Sequence, residues 1–112
     1  MSQDKKIDPN EAVEYIYKYS KEFAKAKSER VYLEEFRKSK KSMLMTHSQE
    51  PTIGGQERDA YRHPEYLQLL EGLKAAVETE EKLRWHLIAA QARIDIWRTT
   101  EASNRGIDRA TQ

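Results

Sequence analysis

The chain has 112 residues and a mass of 13.2 kDa, is 35% charged and 38% hydrophobic, and carries a net charge of +1. That size allows one domain with one modest core, and the near-neutral balance supplies no global field to drive the protein onto nucleic acid or an acidic membrane. The absence of cysteine excludes disulfides, thiolate metal sites and cysteine nucleophiles, and fits a reducing compartment.

The four glycines and three prolines gather mostly in two short places, which is the composition of long helices, so the expected class is all-α. No apolar run approaches the roughly 18 to 20 residues needed to cross a bilayer, and Met1 to Asp8 offers no hydrophobic segment for a signal peptide. A cytoplasmic, unexported protein is expected.

Residues 1–8 are expected to be flexible, with a single domain following over residues 9–105. Asp8-Pro9-Asn10-Glu11 reads as a helix start: Asp8 as N-cap, Pro9 at the first helical position where its missing N–H costs nothing, and Glu11 at the third. From Asn10 to Glu50 there is neither glycine nor proline, so a first helix over about residues 9–47 is predicted, although a break near Ser28 stays compatible with the composition. Pro51 and the Gly54-Gly55 pair are the strongest punctuation in the chain and predict a loop over about 48–63, with room for a turn or two of helix within it. His63-Pro64 then opens a second helix over about 64–104, stopped by Asn104-Arg105-Gly106, with 106–112 as a flexible tail.

Steps of four and three through the second helix give Tyr66, Leu69, Leu73, Ala76, Glu80, Leu83, Leu87, Ala90, Ile94 and Trp97, a coiled-coil seam interrupted only by Glu80. The same stepping in the first helix gives Ala12, Ile16, Tyr19, Phe23, Ala26, Arg30, Leu33, Arg37, Lys40 and Leu44, apolar in its first half and basic in its second. In an antiparallel hairpin, the register that pairs Leu44 with Tyr66 also pairs Phe23 with Leu87, Ile16 with Ile94, and Arg30 with Glu80. The two polar interruptions then meet, as a buried charge requires.

Apolar residues remain outside this seam, among them Tyr15, Tyr17, Tyr32, Leu70, Val77, Trp85, Ile88 and Ile96. Two helices bury one face each, so this surplus calls for a partner, and association of two hairpins into a dimeric helical bundle is the simplest one. Tyr15, Tyr32, Val77, Trp85, Ile88 and Ile96 are the candidate oligomer or partner interface.

Little in the chain suggests catalysis. His47, His63 and His86 form no metal-binding spacing, so neither a metal nor a cofactor is expected, and His63 before proline has its ordinary explanation as a cap. Glu71, Glu78, Glu80 and Glu81 could form an acidic patch, yet they fit helical pairing with lysine and arginine four residues on better than a pair of catalytic carboxylates. Gly54-Gly55 lacks the flanks of a phosphate loop, and no serine sits in a nucleophile elbow. No catalytic residue is assigned, and no small-molecule substrate is expected.

The strongest candidate surface is the run Arg37 to Lys41, in which Arg37, Lys38, Lys40 and Lys41 place four positive charges within about one and a half turns of helix, with Arg58 and Arg62 near the same tip. Such a cluster suits phosphate or an acidic partner and would make binding fall with salt, although it lacks the interleaved aromatics of a single-strand binder. A charged helix face that merely keeps the tip solvated explains it nearly as well. Lys41→Asp, as a surface change, is expected to leave melting unchanged within about 0.5 kcal/mol.

The blocks Tyr32 to Met45 (YLEEFRKSKKSMLM) and His63 to Gly106, above all AAQARIDIWRTTEASNRG from Ala89 to Gly106, resemble a group of small helical proteins encoded by tailed phages and prophages of Gram-negative bacteria. The resemblance covers just over half the chain and brings no catalytic residues. It implies an early phage product that accompanies recombination or replication in the host bacterial cytoplasm. Two functions are therefore expected in competition. One is a non-enzymatic accessory that binds a phage or host DNA-processing protein, or DNA itself through the basic tip. The other is an inhibitor that occludes a host defence or repair nuclease complex through the acidic patch or exposed aromatics.

Overall fold

The structure, a computed structural model, describes residues 6–111. The positions 1–5 and 112 of the expected flexible ends lie outside the described residues. Three helices follow in order, α1 (Pro9–Thr46), α2 (Ile53–Arg62) and α3 (Pro64–Ala110), and no strand occurs among the described residues.

Helix α1 begins as its sequence dictates. Asp8 Oδ1 accepts a hydrogen bond from the Asn10 backbone N–H at 2.9 Å, satisfying one of the four donors left free at a helix start. The helix runs without a break through Ser28 and ends one residue from the expected boundary. At its end, the N–H groups of His47 and Ser48 close back onto the carbonyls of Leu44 and Met45, both at 3.1 Å.

The predicted loop is shorter than expected because Gly54-Gly55 lies inside α2. Thr52 is an extended N-cap whose hydroxyl accepts from the Gly55 N–H at 3.0 Å, and neither glycine takes a positive φ. Gly55 is there for space: a Cβ on it would stand 2.9 Å from Glu50 Cβ and 3.1 Å from Thr52 Oγ1. The absence of a side chain, and not freedom at φ, is what the position uses.

His63 joins α2 to α3. Its extended backbone caps α2, its N–H donating to the Ala60 carbonyl at 3.2 Å, and its Nδ1 accepts from the Glu65 N–H at 3.1 Å to cap α3. The expected stop at Asn104-Arg105-Gly106 does not occur, and α3 continues to Ala110 where a tail was expected. Gly106 adopts no left-handed conformation, so the geometry that ends a helix at glycine is missing.

The chain divides into two compact units, Met1–Phe23 with Lys82–Gln112, and Ala24–Glu81. In the second unit, segments of α1 and α3 run antiparallel: Arg30 meets Glu80, Lys40 meets Glu65, and Leu44 shares a core with Tyr66. Ala60 of α2, wholly shielded, completes that core, with Met45 and Leu70 packed against it. Tyr61 meets Tyr66 edge-on at 5.3 Å.

In the first unit the buried seam residues are two alanines, Ala12 and Ala90, while Ile16, Phe23, Leu87 and Ile94 are half-buried. Tyr15 and His86 hydrogen-bond at 3.2 Å beside a groove of about 320 Å3 that Asp8 and Arg93 also line. Asp8 precedes α1 yet lies level with Arg93, so Trp97, one turn further along α3, lies past the start of α1. This accounts for its 38% exposure, where the seam predicted cover.

Among the described residues the buried hydrophobic side chains are Ala12, Leu44, Ala60, Tyr66 and Ala90, three of them alanine. No helix among the described residues is long and apolar enough to cross a membrane.

Candidate functional site

The basic tip belongs to the second unit, and there it is largely occupied with its own acids. Lys38 pairs with Glu35 at 3.4 Å, Lys40 with Glu65 at 3.5 Å, Lys41 with Glu57 at 3.4 Å, and Arg62 with Asp59 at 3.5 Å. Arg37 and Arg58 form no ion pair among the described residues. Arg37, Lys38 and Lys41 share an open groove of about 600 Å3 with Tyr61 and Tyr66.

Lys41 is more than a surface charge. Its ammonium lies 4.8 Å from the Tyr61 ring centroid and bridges α1 to α2. Hydrogen bonding to Tyr61, and then to Glu57, holds its pKa above the ordinary lysine value in spite of partial desolvation. The acids that satisfy this tip, Glu57 and Glu65, were overlooked in the sequence because their partners lie 16 and 25 positions away, beyond any helical spacing.

The polar interruption of the seam is an ion pair. Arg30 Nε and Nη2 donate to the two carboxylate oxygens of Glu80 at 2.6 and 2.9 Å, and Nη1 reaches Glu34 at 3.1 Å. Glu80 is buried, with its side chain 10% exposed, whereas Arg30 keeps 25%. The hydrogen bonds that Arg30 donates to Glu80, and then its contact with Glu34, raise the Arg30 pKa against the opposing effect of desolvation. Glu80 therefore leaves the acidic patch, since its carboxylate points into the seam and not toward a foreign surface.

The candidate interface residues separate into two groups. Tyr15 is held by His86, and Tyr32 stacks on Phe36 at 5.9 Å, although Tyr32 remains 62% exposed. Val77 is 39% exposed in the second unit. In the first unit, Trp85 (57%), Ile88 (43%) and Ile96 (54%) stand in water along one helix. Arg84 lies over the Trp85 ring, 4.8 Å from its centroid.

Two of the three histidines have structural work, His63 as a double cap and His86 as a partner of Tyr15, while His47 shares an open groove with His63. No group of three or more potential metal ligands occurs among the described residues. No family model, curated protein or solved structure matches this chain.

Proposed function

We infer that the chain is a non-enzymatic helical accessory protein of the phage type, working in the bacterial cytoplasm as a dimeric bundle and engaging a DNA-processing protein through protein contacts. The observation that carries the self-associating part is how little of the chain is shielded. Its accessible surface is 9126 Å2, against roughly 6,400 Å2 for a typical folded monomer of this mass. The surplus, about 2,700 Å2, is large beside the ~800 Å2 per partner of a standard interface.

Protein contacts are favoured over DNA because four of the six basic tip residues already have a carboxylate partner. A phosphate would have to displace Glu57 or Glu65 before gaining Lys41 or Lys40. The link to recombination or replication rests on the phage resemblance of Ala89 to Gly106.

Sedimentation of the intact chain tests the assembly, with a mass of two chains expected and a monomer at all concentrations overturning it. DNA affinity at about 50 mM and about 200 mM salt tests the route. Weak binding, little changed in Arg37→Ala/Arg58→Ala, is expected; tight, salt-sensitive binding lost in that variant would restore the DNA-binding version. Capture from phage-infected cells that returns recombination or replication proteins supports the accessory role. Return of a host nuclease complex would favour the occluding inhibitor, for which exposed Trp85 is the better contact now that Glu80 is buried.

A further inference from the structure

The window Leu83 to Trp97 has two apolar faces. At 100° per residue, Leu83, Leu87, Ala90, Ile94 and Trp97 fall on the seam side of α3, while Trp85, Ile88, Ala92 and Ile96 fall on the opposite side. Continued along the helix, this outward sector reaches Thr99 and Ile107. Within about 60° of Ala92, from Trp85 to Ala110, the only charged residue is Asp95, in a chain that is 35% charged overall. Asp95 is drawn aside by its own helix, accepting from Gln91 Nε2 at 3.2 Å and lying 4.0 Å from Arg98. Every residue of the sector is exposed.

A stripe with one charge in over six turns is not what a solvated face carries; it is the pattern of a helix meeting a second helix. The far end of α3 makes the same point through stability. From Ala102 onward every described residue of α3 is exposed, and the segment contains Ser103, Asn104 and Gly106, all poor helix formers. Two turns of such sequence without a supporting surface are marginal in water.

Resting on the self-association inferred above, we propose that this outward sector of α3 is the face on which a second copy of the chain docks, antiparallel, about a twofold axis near Ile96. An isologous contact places the same stripe on both sides. An axis at Ile96 sets Ile96 against its own counterpart, Trp85 opposite the partner copy's Ile107, and Ile88 beside its Ser103, so that away from the axis Trp85 and Ile88 each meet a smaller side chain. The stripe from Trp85 to Ile107 is about 33 Å long at 1.5 Å per residue, and small residues at Ala89, Ala92, Ser103 and Gly106 let the helices approach closely. Trp85 is the anchor, an indole more than half exposed in one copy and of the type that dominates interface energetics.

The natural absence of cysteine makes the test clean. Ile96→Cys in the full chain, treated with a short bis-maleimide, is expected to form a covalent dimer at concentrations where Tyr32→Cys does not. Ile88→Glu/Ile96→Glu is expected to reduce the sedimenting mass from two chains to one, while Tyr32→Glu leaves it at two. A wild-type chain that sediments as a monomer removes both the self-association and this face. A wild-type dimer that survives Ile88→Glu/Ile96→Glu, with no cross-link through Ile96→Cys, leaves the self-association standing and removes this face alone. If the double-glutamate variant loses its helical circular dichroism, the cross-linking result decides.

Discussion

Arg30 and Glu80, fifty positions apart in the chain, meet side-on through two hydrogen bonds of 2.6 and 2.9 Å, at the level where the apolar run of α3 is interrupted. Desolvating two charges is costly, and their attraction offsets that cost only when both stay in place. Arg30→Ala and Glu80→Ala are each expected to lower the melting temperature, whereas Arg30→Leu/Glu80→Leu, which keeps the seam filled, is expected to restore it. Thermal melts of the three variants check the ordering. A double-leucine protein that melts below both alanine variants would show that the pair contributes more than an apolar contact can.

Lys41 carries a pH dependence with a definite sign. Its folded pKa is raised above the ordinary lysine value of 10.5, so its contribution is fully present below that value and is lost as pH rises through the folded one. The melting temperature of the wild type is therefore expected to fall more steeply above pH 10.5 than that of Lys41→Met. Parallel curves would mean that the contact with Tyr61 and Glu57 is not formed. The same geometry revises the expectation for Lys41→Asp, which now sets a carboxylate beside Glu57 and should lower the melting temperature at neutral pH.

The two adjacent glycines of α2 should respond in opposite directions. A Cβ on Gly54 meets nothing within 4 Å, and Gly54→Ala is expected to stabilise the protein by about 0.5 to 1 kcal/mol. At Gly55 the same methyl runs into the Glu50 side chain and the capping hydroxyl of Thr52, so Gly55→Ala should destabilise by about 1 to 2 kcal/mol, the scale of overpacking or a lost cap. Chemical denaturation of the two variants reads the difference directly.

Burial ranks the leucine substitutions. Leu44, 4% exposed beside Ala60 and Tyr66, is expected to lose about 2 to 4 kcal/mol on truncation to alanine. Leu67, 51% exposed one turn beyond the start of α3, is expected to lose less than about 0.5 kcal/mol, as surface positions do. Leu87→Asp puts a lone charge on a half-buried seam position and should unfold the first unit. A folded Leu87→Asp protein with unchanged hydrogen exchange there would contradict the seam.

Much of this was legible because helical sequence is periodic. Asp8-Pro9-Asn10 carries its cap chemistry in three letters, and the alternation of fours and threes alone brings Arg30 to Glu80 and Leu44 to Tyr66. Gly54-Gly55 misled because glycine serves turns and close packing alike, and only the position of Glu50 shows which is at work. Gly106 misled for a related reason, since a stop needs a left-handed residue and sequence gives the residue without the angle. The partners of the basic tip stayed hidden because Glu57 and Glu65 approach it through the fold. Helical pairing along one chain segment cannot reveal such partners.

The scarcity of shielded side chains also sets how the protein comes apart. The heat-capacity increment and the denaturant sensitivity of unfolding both scale with apolar area newly wetted. A single copy whose buried hydrophobic residues, among those described, are mostly alanine has little such area, so calorimetry on a dilute sample should give a broad, shallow endotherm. If a second copy docks on α3 as proposed, each added increment of concentration should sharpen the peak and move it upward, because that copy would supply the area the first one lacks.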